Sequence, residues 1–127
     1  MLKIKLFLTD VDGTLTDAGM YYTESGDEFK KFNTHDGKGF ELLRNRNIKT
    51  GILTSEKTKI VENRAKKLKV DFLYQDISNK GKLDCAVLIT KKLGISLKEV
   101  AYIGDDINCM ELLQSVGVSA CPANSVL

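Results

Sequence analysis

Short apolar segments alternate with longer amphipathic segments along most of this chain, and this alternation restricts the possible folds of the chain more than any other feature. Such an order is typical of a parallel sheet that helices cover on both faces. We therefore predict an α/β domain, and 127 residues with 43% hydrophobic content predict a single domain over 1–127. The predicted strands are 3–9, 49–53, 70–74, 100–103 and 118–121, and the predicted helices are 37–45, 57–69, 83–93 and 110–115.

The charge and cysteine content argue against several classes of function. The net charge is only +2 and the lysines are scattered among acidic residues, so we expect neither a nucleic acid nor a membrane partner. No apolar run approaches the length of a bilayer span and the start lacks the pattern of a cleaved signal, so we expect a cytoplasmic location. Cys85, Cys109 and Cys121 are odd in number and lack paired spacing, which argues against disulfides.

Two carboxylates, Asp10 and Asp12, come directly after the first predicted strand. Alternate side chains of a strand point to the same side, so both can reach one site while Val11 points into apolar packing. Carboxylates this close repel unless a cation binds between them, and a ligand set made only of oxygens favours Mg²⁺. Gly13 then lets the backbone approach a phosphate, and Thr14 offers a hydroxyl. The alternative is an Asp-Gly turn without any chemistry.

Polar residues also close two other predicted strands. Thr54 and Ser55 follow the strand 49–53, whereas Asp105 and Asp106 follow the strand 100–103. Ligands of parallel sheets bind where the carboxyl ends of the strands converge, so we expect all these side chains at one edge of the sheet. A lysine near the start of the helix 83–93 would add the positive charge that a phosphate needs.

A hairpin is predicted soon after the first strand. Residues 21–23 and 28–32 contain aromatic side chains and flank the turn segment 24–27. Exposed aromatic side chains on such a projection favour self-association of the chain. The alternative is an edge hairpin whose aromatic side chains pack on their own sheet.

Taken together, these motifs resemble those of the haloacid dehalogenase superfamily of phosphatases. The resemblance implies a Rossmann-like three-layer sandwich with a mainly parallel sheet and no cap domain, in which the hairpin is a flap after the first strand. It also implies a homotetramer whose hairpins complete neighbouring sites. The matching motifs span nearly the whole chain: Asp10-Val11-Asp12-Gly13-Thr14, then Thr54, then Lys80 or Lys82, and finally Gly104-Asp105-Asp106.

Three finer segments, 33–39, 51–54 and 100–106, resemble the capless subgroup that dephosphorylates 3-deoxy-ulosonate sugar acids. This subgroup includes the 3-deoxy-manno-octulosonate 8-phosphate phosphatases and the nonulosonate 9-phosphate phosphatases related to sialic acid synthesis. The implied ligand is a small sugar acid phosphate. The first of these segments contains the residues implied to bind it, which are Asn33, Thr34, His35, Asp36 and Gly37.

The resemblance implies a mechanism that also fits the residues. Asp10 would attack phosphorus and carry an aspartyl-phosphate, while Asp12 would protonate the leaving sugar oxygen and later activate water. Mg²⁺ would be bound by the carboxylates of Asp10 and Asp105 and by the backbone carbonyl of Asp12.

Thr54 and one lysine would hold the phosphoryl oxygens. Alignment from the left favours Lys80 and alignment from the right favours Lys82, because this chain has two extra residues between the flanking motifs. Either lysine could instead be only solvated.

The predicted substrate depends on the residues along one face of the predicted helix 57–69. If that helix begins near Glu56, then Glu56, Ile60, Arg64 and Lys67 share one face that could border the site. Glu56 with Lys67 is similar to the nonulosonate group, so a nonulosonate 9-phosphate is the favoured substrate and an octulosonate 8-phosphate is the alternative. The alternative is that these residues form only a row of surface ion pairs, which would stabilise the helix by about 0.3 to 0.5 kcal/mol per pair.

Two departures from the family pattern favour a weakly active regulatory homologue as a further alternative. Cys109 occupies a position where relatives often have an acid, and the chain stops at Leu127 where relatives continue through a glycine-rich tail. A receiver domain that accepts a phosphoryl group is disfavoured, because its acceptor aspartate would close a later strand than the one ending at Asp10.

Overall fold

Five parallel strands form the centre of the structure, a computed structural model that describes residues 3–11, 14–16, 21–22, 24–25, 28–29, 32, 34–78, 81–104 and 110–120. The sheet order is β5-β4-β1-β6-β7, and β2 with β3 forms a separate antiparallel pair. The elements in chain order are β1 (Leu6–Thr9), β2 (Tyr21–Tyr22), β3 (Glu28–Phe29), α1 (Thr34–Asn45), β4 (Lys49–Leu53), α2 (Lys59–Leu68), β5 (Phe72–Tyr74), α3 (Gly81–Leu93), a 3-10 turn (Leu97–Glu99), β6 (Val100–Ile103), α4 (Met110–Ser115) and β7 (Val118–Ala120).

The central strand β1 pairs in parallel with β4 on one side and with β6 on the other. Its last residue, Thr9, lies opposite Ile52 of β4 and Ile103 of β6. The carboxyl ends of three neighbouring strands therefore lie level at one edge of the sheet, which is where ligands of open parallel sheets bind.

The helices form a layer on each face of the sheet. Side chains alternate along β1, so Leu6 and Leu8 point to one face and Phe7 points to the other. This arrangement confirms the predicted three-layer α/β fold. The buried cluster on the α3 and α4 face contains Leu6, Leu8, Leu53, Ile77, Ala86, Ile89, Val100, Tyr102, Leu112 and Val116, and the cluster on the α1 and α2 face contains Val11, Leu15, Phe40, Ile52, Val61, Ala65 and Leu68.

The predicted hairpin is present as β2 and β3. Tyr21 lies opposite Phe29 and Tyr22 lies opposite Glu28 in an antiparallel pair. Thr16 and Phe32 form one further antiparallel bridge at the base of the hairpin. The hairpin is therefore confirmed within the described residues, whereas its role in self-association stays a prediction.

Several predicted boundaries shift by one to three residues because local hydrogen bonds, which the pattern does not encode, set the ends. β1 begins at Leu6 rather than 3, and α2 begins at Lys59 rather than 57. α1 begins at Thr34 rather than 37, and α3 begins at Gly81 rather than 83. β5 begins at Phe72 rather than 70, because Lys69 ends α2 in the left-handed conformation at φ 56°. The longest described helix has 13 residues, and no helix in the described ranges is long and apolar enough to cross a bilayer.

Gly117 provides a sharp test of the packing between α4 and the 3-10 turn. A Cβ atom at Gly117 would lie 1.9 Å from the carbonyl oxygen of Lys98, a distance that requires the backbone to move. We expect Gly117→Ala to lower the free energy of unfolding by about 2 to 3 kcal/mol, as overpacking does. Urea denaturation followed by circular dichroism measures this change.

Gly39→Ala is the matched control. Gly39 lies inside α1, and apart from its chain neighbours and the backbone of its own helix no described atom lies within 4 Å of the position that its Cβ would take. The helix propensity of alanine should then raise the free energy of unfolding by about 0.5 to 1 kcal/mol. Equal effects of the two substitutions would contradict the packing described for Gly117.

Candidate active site

Two predicted catalytic residues lie directly after β1 and β4 in the chain. Asp10 extends the sheet ladder by one hydrogen bond, because its N–H donates to the carbonyl of Ile103 at 3.0 Å. The N–H of Thr54 donates to the carbonyl of Tyr74 at 3.0 Å in the same way. Only 6% of Asp10 and 2% of Thr54 are exposed. The sheet therefore fixes the backbone from which both side chains project.

Lys82 reaches Asp10 from the first turn of α3. Its Nζ donates to Oδ1 of Asp10 at 3.3 Å, and only 5% of the lysine side chain and 9% of the aspartate side chain are exposed. The N–H of Val11 donates to the same oxygen at 2.8 Å. An unpaired charge would be costly at this depth, so the cation and the N–H favour the carboxylate form of Asp10. The structure thus places Lys82 at the site, whereas Lys80 lies outside the described residues.

The loop after β4 is held in shape around Thr54. The N–H of Glu56 donates to Oγ1 of Thr54 at 3.2 Å, and the N–H of Ile77 donates to the Thr54 carbonyl at 3.2 Å. The N–H of Asp76 donates to the carbonyl of Glu56 at 3.1 Å. These bonds join the loops that follow β4 and β5, and they give the Thr54 hydroxyl a fixed position at the edge where Asp10 lies.

In the nucleophile loop, residues 10–16, the described residues 10–11 and 14–16 are arranged around a single carbonyl group. The carbonyl of Val11 accepts hydrogen bonds from the N–H groups of Thr14, Leu15 and Thr16 at 3.1, 2.8 and 3.2 Å. Oγ1 of Thr14 is buried and has no hydrogen-bond partner among the described residues. Because a buried hydroxyl without a partner is costly, this group is suited to bind a ligand.

A cavity of about 500 Å³ lies between the nucleophile loop and α1. Thr9 and Thr14 line it from one side, His35 and Asp36 line it from α1, and the other lining side chains are mostly apolar. Burial raises the pKa of Asp36, while the charges of Arg64 and His35 act against this rise. Two residues of the predicted substrate-binding segment thus face an open space beside the nucleophile loop.

The predicted stripe on α2 is wrong for Glu56. α2 begins at Lys59, because Thr58 is extended and its Oγ1 accepts a hydrogen bond from the N–H of Val61 at 3.2 Å. Glu56 precedes the helix, so helical spacing does not align it with Arg64 and Lys67. Arg64 is half-buried and Lys67 is exposed on α2.

Several predicted residues stay untested by this geometry. Thr34 and Gly37 belong to the first turn of α1. Their roles in substrate binding stay predictions, and so do the roles of the predicted residues that lie outside the described ranges. The residues that lie outside the described ranges are Asp12, Asn33, Lys80, Asp105, Asp106 and Cys109.

Phe32 was not among the predicted site residues, and its ring centroid lies 5.4 Å from Cζ of Arg64. This stacking joins the base of the hairpin to α2. An aromatic residue at the end of a predicted strand was the only signal available, and it does not identify an arginine that lies 32 positions further along the chain.

Comparison with known proteins agrees with this fold. The model of the haloacid dehalogenase-like hydrolases matches residues 36–117. The chain belongs to this hydrolase family. The 3-deoxy-D-manno-octulosonate 8-phosphate phosphatase of Salmonella typhi is 38% identical to it over 123 residues, which are 97% of this chain and 64% of that relative. The chain therefore spans slightly less than two thirds of the curated relatives described here.

Solved structures of the family show the same architecture. The 3-deoxy-D-manno-octulosonate 8-phosphate phosphatase of Yersinia pestis superimposes with a TM-score of 0.91 at 35% identity, covering 97% of this chain and 65% of that one. The corresponding enzyme of Moraxella catarrhalis, solved with a magnesium ion, a phosphate ion and a KDO molecule, gives a TM-score of 0.90 at 38% identity over 96% and 69% of the two chains.

Lys82→Met tests whether the buried ion pair is formed as described. Removing the cation leaves the buried Asp10 carboxylate without its partner, so we expect the free energy of unfolding to fall by about 3 to 5 kcal/mol in buffer without divalent metal. Urea denaturation of the variant measures the loss.

Two further variants control this experiment. Lys80→Met should change stability by less than about 0.5 kcal/mol if Lys82 is the partner, as is usual for surface substitutions. Adding Asp10→Asn to Lys82→Met should recover part of the lost stability, because the uncompensated charge is then gone. A neutral effect of Lys82→Met would contradict the buried pair.

Proposed function

We propose that this chain hydrolyses the phosphomonoester of a 3-deoxy-ulosonate sugar acid with the help of Mg²⁺. The observation that carries the proposal is the buried ion pair between Asp10 and Lys82 at the carboxyl edge of the sheet. Burying two charges together contributes little net stability, so a catalytic use explains their presence better than a structural one. Membership in the hydrolase family supports the same reaction type.

In the proposed reaction an oxygen of Asp10 attacks the phosphorus atom. The bond between phosphorus and the sugar oxygen breaks, and Asp12 gives that leaving oxygen its proton. Asp12 then removes a proton from the water that hydrolyses the aspartyl-phosphate, which returns Asp10 to its carboxylate form. Asp10 is well placed for this role, because Lys82 and the N–H of Val11 orient its carboxylate.

Lys82 and Thr54 are proposed to stabilise the charge on the phosphoryl oxygens. The Lys82 ammonium group already lies beside the attacking carboxylate, so a phosphoryl group on Asp10 would lie within its reach. The Thr54 hydroxyl and the buried Thr14 hydroxyl are available to donate hydrogen bonds at the same edge.

The donor chemistry at this edge fits Mg²⁺. Asp10 supplies a carboxylate, and the other proposed ligands, Asp12 through its carbonyl and Asp105 through its carboxylate, would complete a set made only of oxygens. Within the described ranges no three acidic, histidine or cysteine side chains form a cluster, and Asp12 and Asp105 lie outside those ranges. A bound ion would neutralise the repulsion between the phosphate and the carboxylates. The magnesium ion in the Moraxella catarrhalis structure supports this choice.

The proposed substrate is the octulosonate 8-phosphate rather than the nonulosonate 9-phosphate favoured by the sequence. The nine-carbon preference rested on the likeness of Glu56 with Lys67 to the nonulosonate group and on a helical stripe that would align these two residues, whereas α2 begins three residues after Glu56. The relatives described above are octulosonate 8-phosphate phosphatases, and none of them supports the nine-carbon substrate. A single domain over 1–127, a homotetramer and a cytoplasmic location remain proposals that rest on the sequence.

Phosphate release in the presence of Mg²⁺ tests this function. We expect release from octulosonate 8-phosphate to exceed release from a nonulosonate 9-phosphate by at least about tenfold in kcat/KM. Asp10→Asn should lower kcat by more than about a thousandfold, because the attacking oxygen is lost. Glu62→Gln, which changes an exposed acid on α2, should leave the rate unchanged.

The results of this assay test the proposed reaction and the proposed substrate separately. Preference for the nine-carbon compound would overturn the proposed substrate and keep the phosphatase. No release from either compound would contradict the proposed activity and favour the regulatory homologue.

A further inference from the structure

One side chain of the loop after β5 reaches across to the loop after β4, residues 54–58 (the Thr54 loop). Oε1 of Gln75 accepts a hydrogen bond from the N–H of Thr58 at 2.8 Å, and Gln75 is half-buried. Thr58 is the last residue of the loop, because its own Oγ1 caps α2 by accepting a hydrogen bond from the N–H of Val61 at 3.2 Å. Gln75 therefore holds the junction between the Thr54 loop and α2.

Two backbone hydrogen bonds hold the other part of the Thr54 loop. The N–H of Ile77 donates to the carbonyl of Thr54 at 3.2 Å, and the N–H of Asp76 donates to the carbonyl of Glu56 at 3.1 Å. Asp76 adopts the left-handed conformation at φ 57°, which is uncommon for residues other than glycine. Such conformations persist where surrounding contacts compensate for their cost, and they are concentrated at functional sites. The backbone of the loop after β5 is thus shaped to fit the Thr54 loop.

The orientation of the Thr54 hydroxyl depends on the shape of this loop. The N–H of Glu56 donates to Oγ1 of Thr54 at 3.2 Å, and only 2% of Thr54 is exposed. A hydroxyl that accepts one N–H still has its own hydrogen to donate. The direction in which Thr54 donates is therefore set by the position of Glu56, whose carbonyl is in turn held by the loop after β5.

We infer that Gln75 is a positioning residue, which holds the Thr54 loop in the shape that aims the Thr54 hydroxyl at a phosphoryl oxygen. This inference rests on the proposed function, which assigns that oxygen to Thr54. An N–H at the start of a helix has no helical partner, and Gln75 supplies one to Thr58. The amide oxygen of glutamine is a neutral acceptor, so it brings no negative charge to a site for an anion. Gln75 was not among the predicted site residues.

Amide hydrogen exchange measured by NMR tests this contact without any activity. We expect Gln75→Met to raise the exchange rate of the Thr58 N–H by about tenfold, because its acceptor is lost. Gln75→Glu should retain the slow exchange of the native chain, since a carboxylate oxygen can accept the same N–H. Gln114→Met makes the same chemical change at an exposed position of α4, so it should leave this rate unchanged. An unchanged rate in Gln75→Met would overturn the inference.

Binding of inorganic phosphate in the presence of Mg²⁺, measured by isothermal titration calorimetry, tests the positioning role. We expect Gln75→Met to raise the dissociation constant by about five- to tenfold and Thr54→Val to raise it by about ten- to a hundredfold, the range for a hydrogen bond to a charged group. The double variant should bind phosphate as weakly as Thr54→Val alone, because Gln75 acts through the Thr54 hydroxyl.

Gly117→Ala controls for a general loss of stability. Gly117 directly precedes β7, at the opposite edge of the sheet from the Thr54 loop, so this variant should bind phosphate like the native chain. An equal loss of affinity in Gly117→Ala would overturn the positioning role. Additive effects of Gln75→Met and Thr54→Val would also overturn it, because they would place Gln75 on the phosphate itself.

The same titrations distinguish failure of this inference from failure of the proposed function. If the native chain binds phosphate and Gln75→Met binds it equally well, the positioning role is overturned and the proposed function stands. If the native chain binds no phosphate, the proposed function fails, and the role of Gln75 at the phosphate fails with it.

Discussion

The buried contact between the Asp10 carboxylate and the Lys82 ammonium group is the interaction on which the rest of the site depends. Both side chains are almost fully removed from water, and their nearest atoms lie 3.3 Å apart. A carboxylate at this depth requires a cation and N–H donors, since desolvation alone would favour its neutral form. The fold meets this requirement by joining the end of β1 to the first turn of α3.

The parallel sheet makes the contact between Asp10 and Lys82 possible. β1 lies at the centre of the sheet, and its pairing with β4 and β6 brings the ends of three strands level. Apolar clusters on both faces fix the sheet and helices, so the polar loops at the carboxyl edge have rigid supports. A site built on strand ends and one helix start can hold its groups at fixed distances, which is what stabilisation of a developing charge requires.

The sequence predicted the parts of the site that local pattern determines. The positions of Asp10 and Thr54 at strand ends were predicted because apolar segments end directly before them, and the alternation of elements predicted a parallel sheet. The choice between Lys80 and Lys82 was not predictable, because the start of α3 depends on the N–H of Gly81 donating to the carbonyl of Ser78. The start of α2 was missed for a similar reason, since Ser55 and Thr58 are both possible caps and contacts with Gln75 favour Thr58. The stacking of Arg64 on Phe32 joins distant parts of the chain and has no local pattern.

A rapid-quench experiment in ¹⁸O-labelled water tests whether Asp10 carries the phosphoryl group. The protein is mixed with octulosonate 8-phosphate and Mg²⁺, quenched in acid within one turnover, and digested for mass spectrometry. We expect the peptide that contains Asp10 to have gained one phosphoryl group, and the phosphate released after turnover to contain one oxygen atom from water. Release of labelled phosphate without any modified Asp10 peptide, together with full activity of Asp10→Asn, would contradict this role of Asp10.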